Sequence, residues 1–153
     1  MKIKFLLSIV TLFLCVACNL KEEYHHFNSI PLQGWNKCDT LSYHINRLGV
    51  NRPINISVNI RNTHEYSYEN LILSVQHNLI DSTLTCTDTI SLFLANSDGI
   101  WLGEGWGNLR QTSHQYTSIQ KPQLTDSTYI KIAAIMPDTV LKGIEDIGIH
   151  ITH

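Results

Sequence analysis

Ile54, Ile56, Val58 and Ile60 alternate with Asn55, Ser57, Asn59 and Arg61. The apolar period is two rather than the 3.6 of a helix, so the segment reads as a strand with one dry and one wet face. Further strands are expected at about 38–46, 69–77, 85–95, 100–106, 112–119, 128–135 and 146–151. Turn signals separate them at Gly49-Val50-Asn51, Asn78 to Ser82, Asn96 to Gly99, Lys121-Pro122 and Pro137-Asp138. No 12-residue helical pattern interrupts the series, although Thr139 to Lys142 could form a single helical turn. About eight short strands at regular spacing predict an all-β chain, an antiparallel β-sandwich of Ig-like or jelly-roll-like kind.

The amino terminus is different in kind. Lys2 and Lys4 precede an apolar run from Phe5 to Val16, broken only by Ser8 and Thr11. At about 12 residues the run is too short for a bilayer core, which needs about 20, and it reads as a secretory signal. Ala17 before Cys18 is what a lipoprotein signal peptidase requires. Cys15 stands where Leu is usual, and Leu14 is too bulky for the rival site before Cys15. The expected organisation is a lipoprotein signal peptide at 1–17, a lipidated Cys18 opening a polar tether over 18–34, and a β-sandwich domain over 35–153. Several acyl chains on Cys18 would suffice for stable anchoring, making the membrane the first expected partner. Lys21-Glu22-Glu23 reads as part of a solvated linker, and it is also similar to the acidic export signals of surface lipoproteins in Bacteroidota.

Charge narrows the partners. The whole chain has a net charge of −2 from 11 Lys and Arg against 13 Asp and Glu. Losing Lys2 and Lys4 leaves nine basic residues against the same 13 acidic ones, a balance of −4. Nothing in it suits nucleic acid, which needs a basic face to displace counterions.

Cys38 and Cys86 remain after lipidation, both on predicted strands in an oxidising compartment. They could form a disulfide or stay as buried thiols, because pairing depends on a Cα separation that spacing does not reveal. His150 and His153 are three apart and would face opposite sides of a strand, while His25-His26 falls in the tether. No metal site or other cofactor is expected. No Gly-x-Ser-x-Gly elbow is present, and the chain reads as a non-enzyme.

Four of the eight glycines and two of the three tryptophans fall between Gly99 and Gly107. The stretch lacks a phosphate-loop ending and a dinucleotide fingerprint. Two readings stand. The glycines can mark close backbone approach with tryptophans packed as core, or Trp101, Glu104 and Trp106 can form a surface for a glycan or a protein partner. Asp98 and Glu104 as a glycosidase pair is the remotest reading, since it needs a defined carboxylate separation.

Five of the seven aspartates precede Ser or Thr and then a β-branched or aliphatic residue: Asp39-Thr40-Leu41, Asp81-Ser82-Thr83, Asp88-Thr89-Ile90, Asp126-Ser127-Thr128 and Asp138-Thr139-Val140. Aspartates closing turns before strands explain this. The pattern also resembles the acceptor motif for protein O-glycosylation in Bacteroidota.

Three stretches together resemble the gliding-motility lipoprotein family GldH of Bacteroidota. They are Arg61-Asn62 with Tyr66 to Leu71, the loop Gly99 to Gly105, and Leu141 to Ile149, with Trp35 opening the domain. The resemblance spans about 35–151, and Pro137 departs from it where Arg is more usual. It implies a membrane-anchored lipoprotein of the cell envelope, at the outer membrane rather than the inner. Such a protein would serve gliding motility and its linked secretion machinery through contacts with envelope proteins. The resemblance carries over no catalytic residue and no cofactor.

Overall fold

The computed structural model describes residues 22–45, 52–122, 124–125 and 127–153. The signal segment, Cys18, Asp126 and the turn at 49–51 lie outside them. Among the described residues ten strands follow one another: β1 (Glu22–Ser29), β2 (Trp35–Asn36), β3 (Thr40–His44), β4 (Ile54–Asn62), β5 (Asn70–His77), β6 (Cys86–Phe93), β7 (Arg110–Ile119), β8 (Tyr129–Ala134), β9 (Val140–Leu141) and β10 (Ile144–Thr152). They make a four-stranded sheet of order β1-β10-β4-β7, a second of order β3-β8-β5-β6, and a two-stranded β2-β9 ribbon. All pairing is antiparallel.

The sandwich follows from the alternation. Ile54, Ile56, Val58 and Ile60 of β4 are fully buried, as are Ile147, Ile149 and Ile151 of β10. Leu71, Leu73 and Val75 of β5 with Ile130 and Ile132 of β8 supply the facing layer. Each such side chain contributes roughly 1.5–3 kcal/mol on burial. A slip of one residue would turn a whole row to solvent, which is what holds the register.

Several expectations are corrected. Residues 22–29 are not a tether: β1 pairs with β10 from Glu22↔Thr152 to Ser29↔Asp146, so the domain starts well before Trp35. The possible helical turn at Thr139 to Lys142 is instead β9, with Leu141 opposite Trp35. Residues 100–106 form no continuous strand, only isolated bridges at Trp101 and Glu104.

Cys38 and Cys86 are both free. Cys38 lies in an exposed turn before β3, and Cys86 begins β6, half-buried; β3 and β6 are opposite edges of one sheet. Three strand spacings of about 4.8 Å separate them, well beyond the reach of a disulfide.

β7 contains a bulge. Ile56 pairs with Thr117 and Ser57 with Gln115, leaving Tyr116 as the extra residue. Its hydroxyl donates to the Asp88 carboxylate of β6. Asp88 also lies 3.6 Å from Nε2 of buried His77.

Because the long strands are antiparallel, their connections alternate between two poles. Glu22, Thr152, Asn55 and Ser118 align at one end of the first sheet, and the β5–β6 turn leaves the second sheet at the same end. Connections 30–39, 63–69, 94–109 and 135–143 lie at the other.

Candidate functional site

The connection from β6 to β7 carries the chain from one sheet to the other. It starts anchored, with Leu94 fully buried and Ala95 nearly so. Asn96 then organises a tight turn, its Oδ1 accepting from the amides of Asp98 at 3.0 Å and Ile100 at 2.8 Å. Leu102 N donates back to Leu94 O at 2.9 Å.

The returning chain runs along the free edge of β7. Glu104 and Gln111 exchange backbone hydrogen bonds of 3.0 and 2.7 Å, which covers an otherwise exposed edge. The approach is so close that a Cβ on Gly105 would lie 2.0 Å from Leu109 O. Backbone proximity explains Gly103 and Gly105, whereas Gly99 and Gly107 have open space around them and instead take positive φ values of 76° and 61°.

The two tryptophans separate. Trp101 is half-buried against the core, and its Nε1–H donates to His64 Nδ1 at 2.9 Å. Trp106 is 94% exposed. The indoles therefore do not act as a matched pair of plates. Ile100, Leu102 and Leu109 of the same connection and Phe93 just before it are also exposed.

Beside Trp106 opens a shallow groove of about 470 Å³ lined by Arg61, Glu104, Gly105, Trp106, Leu109 and Gln111. Arg61 is held on three sides. Its guanidinium lies 4.0 Å from the centre of the Phe27 ring, its Nε donates to Gln111 Oε1 at 2.8 Å, and it pairs with Asp146 at 3.5 Å. Asp146 in turn accepts from Ser29 Oγ at 2.6 Å. Phe27 and Gln111 carried no sequence signal. Only the pairing of β1, β10, β4 and β7 brings them to Arg61.

The same pole gathers the stretches that carried the resemblance. His64 N donates to Asn108 Oδ1 at 3.1 Å, and Thr63 N to Gly143 O at 2.8 Å. Gly143, at φ 77°, backs onto Tyr66 so closely that a Cβ would sit 2.1 Å from its amide nitrogen. Burial raises the Tyr66 phenol pKa above its ordinary value.

Asp98 and Glu104 are both exposed, Asp98 in the Asn96 turn and Glu104 on the β7 edge. Among the described residues no three His, Cys, Asp or Glu side chains gather as a metal site. His150 packs its ring 4.9 Å from that of His25 across the β1–β10 pair.

The Asp-Ser/Thr segments are divided. Asp39 and Asp138 precede β3 and β9, with Thr40 and Thr139 exposed. Asp81 accepts from both the amide and the hydroxyl of Thr83 in a turn. Asp88 sits inside β6, with Thr89 exposed, and there the turn explanation fails. Ser127 is exposed, whereas Thr128 is buried.

Residues 22–151 match the sequence profile of the GldH lipoprotein family. A gliding motility lipoprotein GldH homolog of Christiangramia forsetii is 25% identical over 150 residues, covering 94% of this chain and 91% of the relative. Gliding motility lipoprotein GldH of Flavobacterium johnsoniae is 28% identical over 151 residues, covering 95% and 92%. Among solved structures, the VP2 subviral particle of infectious bursal disease virus is similar at 16% identity and a TM-score of 0.29. The likeness covers 86% of this chain and 30% of the viral one, and at that score it carries no argument.

Proposed function

The chain belongs to the GldH lipoprotein family, and from that membership we propose a non-enzymatic envelope lipoprotein that works in gliding motility and the secretion apparatus linked to it. Cys18 carries the lipid, in the outer membrane. The working surface is the pole built by the β6–β7 connection, and its chemistry is protein contact. The observation that carries this reading is Trp106, exposed and lining the Arg61 groove together with Leu109. Aromatic and arginine side chains of this kind form the anchoring centres of protein interfaces.

Deletion of the gene followed by complementation tests it. Wild-type protein restores colony spreading and secretion, and Trp106→Ala protein, present at equal level in the envelope, does not. A photo-crosslinker at position 106 captures a defined envelope protein. Full complementation by Trp106→Ala would remove the loop from the mechanism.

A second reading is a carbohydrate-binding surface. One exposed indole beside Glu104, Gln111 and Arg61 supports it, since a sugar presents an apolar face to a ring and hydroxyls to polar neighbours. Quenching or shift of Trp106 emission on titration with envelope polysaccharide, abolished in Trp106→Ala, would favour it over protein contact.

A further inference from the structure

We propose that the pole opposite the Trp106 loop rests on the lipid surface holding the acyl chains, with Ile80 and Leu84 entering the headgroup layer. This rests on the reading of Cys18 as the lipidated residue. The argument begins with chain length. Glu22 is already paired with Thr152 in the first sheet, only four residues after Cys18. Four residues span at most about 14 Å when extended. The domain therefore cannot stand off on a long stalk, and the pole containing Glu22 must face the membrane closely.

That pole is suited to the contact. Ile80 and Leu84, in the turn between β5 and β6, are 54% and 62% exposed. Arg52 and Lys121, at the start of β4 and after β7, are also exposed there. The acidic side chain between the two apolar ones, Asp81, has its carboxylate engaged by the amide and hydroxyl of Thr83. Aliphatic tips on a pole that also carries exposed Arg52 and Lys121 match the boundary between acyl chains and anionic headgroups, where apolar side chains bury about 5–10 Å deep.

The consequence is orientation. β1 runs from Glu22 to Ser29, and eight residues of strand cover about 26 Å. Ser29 bonds Asp146, which pairs with Arg61. The Arg61–Trp106 groove is thereby presented about a strand length above the anchoring membrane, directed toward a partner in the aqueous compartment rather than toward that lipid.

Tryptophan quenching in the full mature lipoprotein tests the arrangement. Wild-type and Leu84→Trp proteins are reconstituted into vesicles of phosphatidylethanolamine and phosphatidylglycerol, with and without lipids brominated near the top of the acyl chain. Acylation at Cys18 is confirmed by mass. The added emission of Leu84→Trp should be blue-shifted and fall roughly twofold with brominated lipid. Wild-type emission should be insensitive to brominated lipid and quenched by aqueous iodide through Trp106. Acylated protein in which Leu84→Trp emission is indifferent to brominated lipid overturns the orientation, whether iodide reaches it or another protein shields it. Protein lacking acyl mass at Cys18 overturns the anchor itself and the orientation with it.

Discussion

The Tyr43 hydroxyl donates a 2.7 Å hydrogen bond to the backbone carbonyl of Ile147. Tyr43 belongs to β3 at the edge of the second sheet and Ile147 to β10 inside the first. The bond therefore crosses the sandwich within the core, where Tyr43 is 1% exposed. Burial raises the phenol pKa above its ordinary value, so it remains a neutral donor.

Tyr43→Phe removes that donor while keeping the ring. It should lower unfolding free energy by about 1–2 kcal/mol, because a core acceptor loses a partner. Urea unfolding followed by circular dichroism should show a lower midpoint at unchanged slope. A loss below about 0.3 kcal/mol would mean that the bond contributes nothing net.

Stability should fall as the solution is acidified from neutrality. Burial lowers the pKa values of His77 and His114, with Asp88 and the Phe93 backbone only partly offsetting it. In the unfolded chain both histidines take up protons as pH falls through about 6.5, whereas the folded chain resists until lower pH. The unfolded state then binds more protons, and folding weakens across that interval. Asp81, whose pKa is lowered by bonds from Thr83, adds a loss only in the carboxylate range. Urea midpoints between pH 7.5 and 5 read the effect, about pH 6.5 being its onset. A flat profile would contradict it, and His77→Gln with His114→Gln should reduce the slope.

Glycine positions at the loop pole should rank by geometry. Gly143 has a positive φ and no room, and Gly143→Ala should cost more than about 2 kcal/mol. Gly99 also has a positive φ, yet nothing lies within 4 Å of its would-be Cβ, and Gly99→Ala should cost only about 1 kcal/mol. Thermal unfolding of the two variants side by side would expose an inverted order.

The tryptophans should divide stability from function. Trp101→Ala opens space against the core and removes the donor to His64, and should cost about 2 kcal/mol or more. Trp106→Ala should change stability by less than about 0.5 kcal/mol and impair motility. Equal destabilisation by both would assign Trp106 a packing role.

Both thiols should remain free under oxidation. Cys38 is exposed and Cys86 half-buried, so native alkylation should modify Cys38 first. The Cys38→Ser, Cys86→Ser double variant should unfold at the wild-type temperature. A species two mass units lighter with neither thiol alkylatable would instead reveal a bridge.

The long strands were legible because β alternation is written locally: Ile54 to Ile60 are buried as their spacing predicts. β1 escaped that reading. Its Tyr24, His25, His26 and Phe27 lack an aliphatic alternation, and as an edge strand it pairs only with β10. β9 escaped because two residues carry no period, and their extended state depends on Trp35, about a hundred positions away. The glycine-rich stretch was noticed from composition, but its geometry was not, since bridges such as Glu104–Gln111 depend on where another segment runs.

By itself the sequence determined the all-β character, the faces of most strands and the presence of an unusual Trp–Gly segment. These follow from side-chain direction along a single extended backbone. Tertiary structure alone decided that β1 joins the first sheet, that the two cysteines stand at opposite edges, and that Phe27, Arg61, Gln111 and Trp106 meet at one pole. Those outcomes arise from pairing between distant segments, chosen by the burial and hydrogen bonding of the whole sandwich rather than by local conformational preference.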